Sequence, residues 1–318
     1  MNISLIEPIG VEDEVVYQLA DKLKKEGHCF HYYNKKSENL DELIGRSKGQ
    51  DIIMIANHPY PEEAVRSAEH LKMLSVAFTG IDHIALDACR VRKIKICNCA
   101  GYSNQSVAEL AVGMTLGLLR KFSQCEHAVK EGGDGSGLTG MEIAGKTVGI
   151  IGCGKIGFQA AKLFRAFGAK VCAFARRERM ECKEEGIEYT DLDTLLVNSD
   201  IISLHLPLTE ETRGLIDAEK IARMKPGALL INCARGAIVD NQALAEALKE
   251  GRLAGAGIDV FDMEPPLPEG YPLLQAPNVL LTPHVAFATK EAMARRAIIL
   301  FDNVYAYLQG REQNVCQY

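Results

Sequence analysis

The chain has 318 residues, 47% apolar and 25% charged, with 36 basic against 42 acidic side chains and a formal net charge of −6. That length suits about two domains, each large enough to bury its own core, and the composition excludes a disordered or fibrous chain. The mild acidic excess argues against nucleic acid or an anionic membrane as the main partner, and the near-apolar stretch 110–119 is half the roughly twenty residues that a membrane span needs.

From the N-terminus, short apolar runs alternate with segments of helical period. Strand-like pieces at Ile3–Ile6, Cys29–Tyr33, Asp51–Ile55, Leu74–Phe78 and Ile94–Cys97 are separated by helical ones at 15–25, 40–44, 61–69 and 84–91. Such alternation predicts βαβ units around a parallel sheet. A long helix is expected over about 107–122, with Ser106-Val-Ala-Glu109 in capping-box form at its start. The segment 132–140 holds five glycines in nine residues and is expected to be a loop. A second βα series runs from Lys146 to about His284, and one more helix with a frayed tail follows over 289–310. Two such series joined by a long helix suggest two α/β domains with a cleft between them.

The N-terminus carries neither a basic start nor a long apolar core, so no export signal is expected. The ten cysteines are scattered. Cys97 and Cys99 form neither a C-x-x-C pair nor part of a metal-ligand set. They are read as reduced thiols in a reducing cytoplasm, and no metal site is expected.

Thr147–Ile151 reads as a strand that runs directly into Gly152-Cys-Gly154-Lys155-Ile156-Gly157, followed by a helical pattern to Phe167 and a second strand, Ala169–Phe174. In this context the glycines are a dinucleotide-binding turn. The first makes the tight turn and the second admits the pyrophosphate to the backbone. The third allows close helix–strand packing, and the helix N-terminus faces the anion. The second strand ends in Ala175-Arg176-Arg177 where NAD sites usually carry a carboxylate for the ribose 2′-OH. Two guanidinium groups suit a 2′-phosphate, which predicts NADP as the preferred cofactor with NAD as the alternative. Glu178 taking the ribose role is the competing possibility.

Ligands of open parallel sheets lie beyond the carboxyl ends of the strands. The later strands deliver Arg235-Gly236, Asp259 with Asp262 and Glu264, and His284 to that edge, and a further strand delivers His205 and Pro207. Arg235 is shaped to hold a carboxylate beside a carbonyl. A protonated His284 can supply the proton that a developing alkoxide needs, and Glu264 can orient the imidazole. His205 is read as structural or cofactor-adjacent.

With these residues in place, the chain resembles the D-2-hydroxyacid dehydrogenases over nearly its whole length. The motifs that carry the likeness are Thr79-Gly-Ile-Asp-His, Ser106-Val-Ala-Glu-Leu, Gly152-Cys-Gly-Lys-Ile-Gly, His205-Leu-Pro-Leu-Thr, Asn232-Cys-Ala-Arg-Gly, Ala256-Gly-Ile-Asp-Val-Phe with Glu264-Pro, and Thr282-Pro-His. Gly80-Ile-Asp-His-Ile-Ala-Leu-Asp and the Ala-Arg-Arg segment are similar to glyoxylate/hydroxypyruvate reductases.

The resemblance implies a Rossmann-type doubly wound cofactor domain, 100–288, inserted in a smaller flavodoxin-like substrate-binding (catalytic) domain formed by 1–99 plus 289–318. It implies hydride transfer between NAD(P)H and a small 2-oxo acid to give the D-2-hydroxy acid. In that reading His284 is the acid/base, Glu264 its partner and Arg235 the substrate clamp. Backbone N–H groups near Thr79 and Gly80 would hold the substrate carboxylate, and Asp259 would contact the nicotinamide side of the cofactor. The cofactor set comprises Gly152, Gly154, Lys155, Ile156, Gly157, Arg176, Arg177, His205, Pro207, Thr212, Cys233, Asp259 and Ser106. A homodimer through the cofactor domains is also implied. Family members often carry a Trp in the loop before the cofactor domain; this chain has none, and the glycine-rich stretch stands there. Asn57-His-Pro-Tyr60, expected to border the substrate, matches no known specificity. The alternative reading is a dinucleotide-sensing binding protein, like the corepressor relative of this family.

Overall fold

A computed structural model of the protein describes every residue from Met1 to Tyr318. In chain order the elements begin with β1 (Asn2–Leu5), α1 (Asp13–Lys25), β2 (Cys29–Tyr32), α2 (Leu40–Ser47), β3 (Ile52–Ile55), α3 (Glu62–Ser67), β4 (Met73–Val76), α4 (Leu86–Val91) and β5 (Lys95–Asn98). They continue with α5 (Asn104–Leu119), α6 (Phe122–Lys130), β6 (Thr147–Ile151), α7 (Lys155–Ala166), β7 (Lys170–Phe174), α8 (Met180–Glu184), β8 (Glu188–Tyr189), α9 (Leu192–Asn198) and β9 (Ile201–Leu204). The last are α10 (Ala218–Arg223), β10 (Leu229–Asn232), α11 (Asn241–Lys249), β11 (Gly255–Ile258), β12 (Val279–Leu281) and α12 (Lys290–Leu308). Two compact units result, one of Met1–Ser103 with Ala288–Tyr318 and one of Asn104–Phe287.

The first unit holds a five-stranded sheet in the order β2-β1-β3-β4-β5, the flavodoxin-like winding. Its strand pairs are all parallel, which requires a crossover between consecutive strands. Ile53, Ile55, Leu74, Val76 and Ile96 pack on one face against Leu43, Val65 and Cys89 of the helices. The C-terminal helix α12 lies in this unit, where the buried Ser75 hydroxyl donates to the Leu300 carbonyl at 3.0 Å. The chain beyond α12 is ordered rather than frayed. Asn98 N–H donates to the Asn314 carbonyl and Cys316 N–H to the Ile96 carbonyl, so the tail satisfies an otherwise open sheet edge.

The second unit holds a seven-stranded, wholly parallel sheet in the order β12-β11-β10-β9-β6-β7-β8. The winding reverses between β6 and β9, and this switch point is where doubly wound sheets open a ligand crevice. Successive residues of each strand face opposite sides. Val148, Ile150 and Ile231 pack with α5 and α7, whereas Ile151, Ile202 and Leu230 pack with α9, α10 and α11.

Two expectations for the joining helix are corrected. Helix α5 starts at Asn104, so Ser106 lies inside its first turn, 4% exposed, and does not stand at the N-cap position. The helix stops at Leu119 because Lys121 adopts the left-handed conformation (φ 53°), and α6 follows as a separate element. No residue of α6 is buried; its apolar Phe122, Cys125 and Val129 recur at helical spacing, but Phe122 and Val129 face solvent rather than a core. The glycine-rich 132–140 is a loop, as its composition requires. All ten cysteines are free thiols, and no helix is long and apolar enough to cross a membrane.

Candidate active site

The turn from β6 into α7 has the shape that an anion requires. Gly152 has φ 97°, and a Cβ there would lie 2.5 Å from the His205 carbonyl oxygen, so β6 and β9 approach flush at the switch point. A Cβ at Gly157 would lie 2.1 Å from the Gly152 carbonyl oxygen, which only glycine allows. At Gly154 the same test meets nothing within 4 Å. That open space sits directly over the N-terminus of α7, where no side chain caps the free N–H groups. The turn therefore fits a dinucleotide pyrophosphate, held by the backbone and the positive end of the helix. Lys155 and Ile156 form the first turn of α7, the lysine exposed and the isoleucine half-buried.

Around this turn the expected cofactor residues divide into open and committed groups. Arg176 and Arg177 follow β7 and are exposed. Arg176 meets Glu211 at 3.2 Å. Glu178, the competing candidate for the ribose, instead pairs with Lys183 at 2.5 Å. Thr212 Oγ donates to the Pro207 carbonyl at 2.7 Å and accepts from Thr209 N–H at 2.8 Å, which folds the loop after β9 back on itself. His205 Nε2 meets Ser203 Oγ at 2.9 Å, and its buried Nδ1 has no partner. Burial lowers its pKa from the ordinary 6.5 to about 4, so the ring is neutral at physiological pH. Cys233 is buried, and burial beside Asp259 pushes its thiol pKa well up.

Beyond the ends of the three neighbouring strands β10, β11 and β12 stand Arg235, Glu264 and His284. Arg235 leads a 3-10 turn, Gly236–Ile238, and its Nη1 donates to the Ala234 carbonyl at 2.7 Å. Asn232, wholly buried, braces this turn. Its Nδ2 donates to the Arg235 carbonyl at 3.0 Å and its Oδ1 accepts from Ala234 N–H at 3.0 Å. A Cβ at Gly236 would lie 1.8 Å from the Phe261 carbonyl carbon. The Arg235 turn therefore rests backbone to backbone on the segment that leads to Glu264.

His284 Nδ1 and Glu264 Oε1 are 2.9 Å apart. This bond fixes the ring and leaves Nε2 as the nitrogen open to other partners. The edge of the Phe287 ring faces the imidazole, with centroids 5.8 Å apart. His284 has φ 56°, a left-handed conformation that an L-residue adopts only when held. What holds it is Asp259, a carboxylate with no exposed surface. Asp259 Oδ1 accepts from the Thr282 hydroxyl at 2.5 Å and from Val285 N–H at 2.9 Å, and Oδ2 accepts from Ala286 N–H at 2.9 Å. His284 N–H in turn donates to the Asp259 carbonyl at 2.8 Å. Asp259, expected beside the nicotinamide, thus has both carboxylate oxygens committed to the histidine's own loop.

Thr79 and Gly80 belong to the first unit, just beyond β4. The Asn98 amide donates to the Thr79 carbonyl at 2.8 Å. Sequence reasoning did not single out Asn232 or Tyr271 for a role. Asn232 is visible only as part of the Asn-Cys-Ala-Arg-Gly motif, and Tyr271 carries no motif.

The D-isomer specific 2-hydroxyacid dehydrogenase family, in the part described as its NAD binding domain, matches residues 112–286. The chain is 39% identical over 278 residues to a glyoxylate reductase from Thermofilum pendens, covering 85% of this chain and 82% of that protein. It is 36% identical over 315 residues to a D-3-phosphoglycerate dehydrogenase from Archaeoglobus fulgidus, covering 98% of this chain but only 58% of that longer protein. Among solved structures, a D-lactate dehydrogenase from Aquifex aeolicus, complexed with NAD and lactic acid, superposes with a TM-score of 0.84 at 32% identity, covering 98% of this chain and 96% of that one. A nucleotide-binding turn at the sheet's switch point, a His–Glu pair at its carboxyl edge and a family match over more than half of the residues lead to one conclusion: the chain belongs to the D-isomer specific 2-hydroxyacid dehydrogenase family.

Proposed function

We propose that the protein reduces a small 2-oxo acid of the glyoxylate or hydroxypyruvate type to the D-2-hydroxy acid with NADPH. The observation that carries this reading is the 2.9 Å bond between Glu264 and His284, with the imidazole's other nitrogen left open. The second unit is the cofactor domain in this reading and the first the substrate-binding domain. The turn from Gly152 to Gly157 would hold the dinucleotide, whose nicotinamide would supply hydride to the carbonyl carbon. His284 Nε2 then gives its proton to the oxygen that would otherwise become an alkoxide. Glu264 keeps the ring in place and offsets its charge before the transfer. Arg235 pairs with the substrate carboxylate and carbonyl oxygen in the forked geometry that a guanidinium provides. In the first unit, the backbone N–H groups near Thr79 and Gly80 are the donors offered to a substrate carboxylate.

The preference for NADPH rests on Ala175-Arg176-Arg177, where the strand end lacks a carboxylate and both guanidinium groups are exposed. A homodimer is supported by apolar side chains left in solvent on α6 and the following loop, Phe122 59%, Val129 75% and Met141 48% exposed. Ten free thiols suit the reducing cytoplasm.

The test is NADPH oxidation with glyoxylate, hydroxypyruvate, pyruvate and bulkier 2-oxo acids, comparing wild type with His284→Asn. The variant is expected to lose kcat by about a hundredfold or more with cofactor affinity retained. Near-normal kcat removes His284 from the mechanism. Tight cofactor binding without turnover of any 2-oxo acid favours a dinucleotide sensor instead.

A further inference from the structure

The segment that carries Glu264 is an exposed excursion between β11 and β12. Asp262, Met263 and Glu264 are all solvent-facing, and Glu264 meets one partner, His284. A carboxylate on such a loop sits within bonding distance of an imidazole only if its backbone is anchored close by. The anchor lies at the neck of the loop. Tyr271, 4% exposed, reaches back across nine residues, and its hydroxyl donates to Asp262 Oδ1 at 2.6 Å. Its ring stands edge-on to Phe261 with centroids 5.7 Å apart and an interplanar angle of 86°. The Phe261 backbone is the one on which Gly236 rests. The Tyr271 N–H donates to the Pro268 carbonyl at 2.9 Å, which fixes the returning limb. Burial and the Asp262 carboxylate both push the phenol pKa up, so the hydroxyl remains a donor throughout the working pH range.

We infer that the Tyr271–Asp262 hydrogen bond is a brace that closes the 262–271 loop and positions Glu264 against His284. The inference rests on the proposed role of the His284–Glu264 pair. Tyr271 and Asp262 are positioning residues; they act through Glu264 and touch neither the substrate nor the cofactor in this account.

The experiment compares Tyr271→Phe, Asp262→Ala and Asp262→Asn, each alone and combined with Glu264→Gln, in steady-state reduction of glyoxylate and hydroxypyruvate. Tyr271→Phe keeps the ring packing, and Asp262 is exposed, so at least one variant of the pair folds. Tyr271→Phe and Asp262→Ala are each expected to lower kcat about tenfold, with KM for the 2-oxo acid and Kd for NADPH within about twofold of wild type. Asp262→Asn, which keeps an oxygen acceptor for the phenol, is expected to restore most of the activity. With Glu264 already changed to Gln, removing the Tyr271 hydroxyl is expected to add nothing, because the two changes act at one point. A Tyr271→Phe enzyme with wild-type kcat overturns the brace, as does an equal loss in both backgrounds. A Glu264→Gln enzyme at wild-type kcat overturns both the brace and the His–Glu mechanism beneath it. An impaired Glu264→Gln beside an unimpaired Tyr271→Phe overturns the brace alone.

Discussion

Replacing Asp259 by Ala is the most exacting perturbation of this site, because one buried carboxylate organises the whole loop from Thr282 to Ala286. Three donors point at it, two of them backbone N–H groups, and the one from Ala286 is buried. Leaving a buried donor unsatisfied costs about 1–3 kcal/mol, which sums to at most roughly 5 kcal/mol for the three, because only the Ala286 bond is fully buried. Removing a buried charge that has no cationic partner returns part of that. The left-handed turn at His284 relaxes once the loop is free and returns about 1 kcal/mol more. The expected net loss is therefore at most about 3 kcal/mol, or up to roughly a hundredfold in the equilibrium for opening this loop. Amide hydrogen exchange reads that quantity directly: protection at Val285 and Ala286 falls by up to about two orders of magnitude while the strands of the first unit keep theirs. The kcat for 2-oxo acid reduction falls by at least about tenfold, since the imidazole no longer stays over Glu264. Asp259→Asn is intermediate, for the amide keeps one acceptor oxygen and turns an N–H₂ toward a backbone donor. Unchanged protection at Val285 and Ala286 together with normal kcat would show that Asp259 does not hold the loop.

Three other outcomes follow from the site. His205 has a folded pKa of about 4 against an ordinary 6.5. As pH falls through that window the unfolded chain takes up a proton that the folded one refuses, so stability decreases by up to about 3 kcal/mol between pH 6.5 and 4. Urea denaturation across that range is expected to show this slope in wild type and to lose it in His205→Gln; an unchanged slope in the variant assigns the titration elsewhere. Gly157→Ala is expected to lower both thermal stability and NADPH affinity, because its Cβ meets the Gly152 carbonyl. Gly154→Ala has room for its methyl and is expected to leave stability intact while weakening NADPH binding at least tenfold, to about the cost of one charge-assisted contact; equal effects of the two changes on stability refute the distinction. Replacing Arg176 and Arg177 together by Ala is expected to lower kcat/KM with NADPH about tenfold to a hundredfold with little change for NADH. A parallel loss with both cofactors rejects the 2′-phosphate assignment.

Much of the site could be read before any coordinates because its chemistry sits at places that local pattern marks. The glycine turn follows an apolar strand and opens a helix; Gly152 and Gly157 answer steric demands found in the structure, and Gly154 leaves open space at the helix N-terminus. Arg235, Glu264 and His284 come after strand ends in a parallel fold, where ligands lie. Helix α6 is not separable from α5 by pattern, because the break between them is the left-handed backbone of Lys121, an ordinary residue in the sequence. The start of α5 differs from expectation because Ser106 and Glu109 have the spacing of a capping box, which would begin the helix at Val107, while it begins three residues earlier at Asn104. The ordered tail beyond α12 could not be foreseen, since its partners belong to β5, more than two hundred residues upstream.

The sequence by itself determined the alternation of strands and helices, the phosphate-binding turn and the candidate chemistry of the sheet edge, since each depends on residues close together in the chain. Tertiary structure alone decided what those groups bond to. Asp259 meets the loop of His284 because β11 and β12 are neighbours in the sheet. Tyr271 meets Asp262 because the intervening loop folds back on itself. Hydrogen bonds form within about 3 Å, and which distant residues come that close is set by strand order and packing, which no local pattern records.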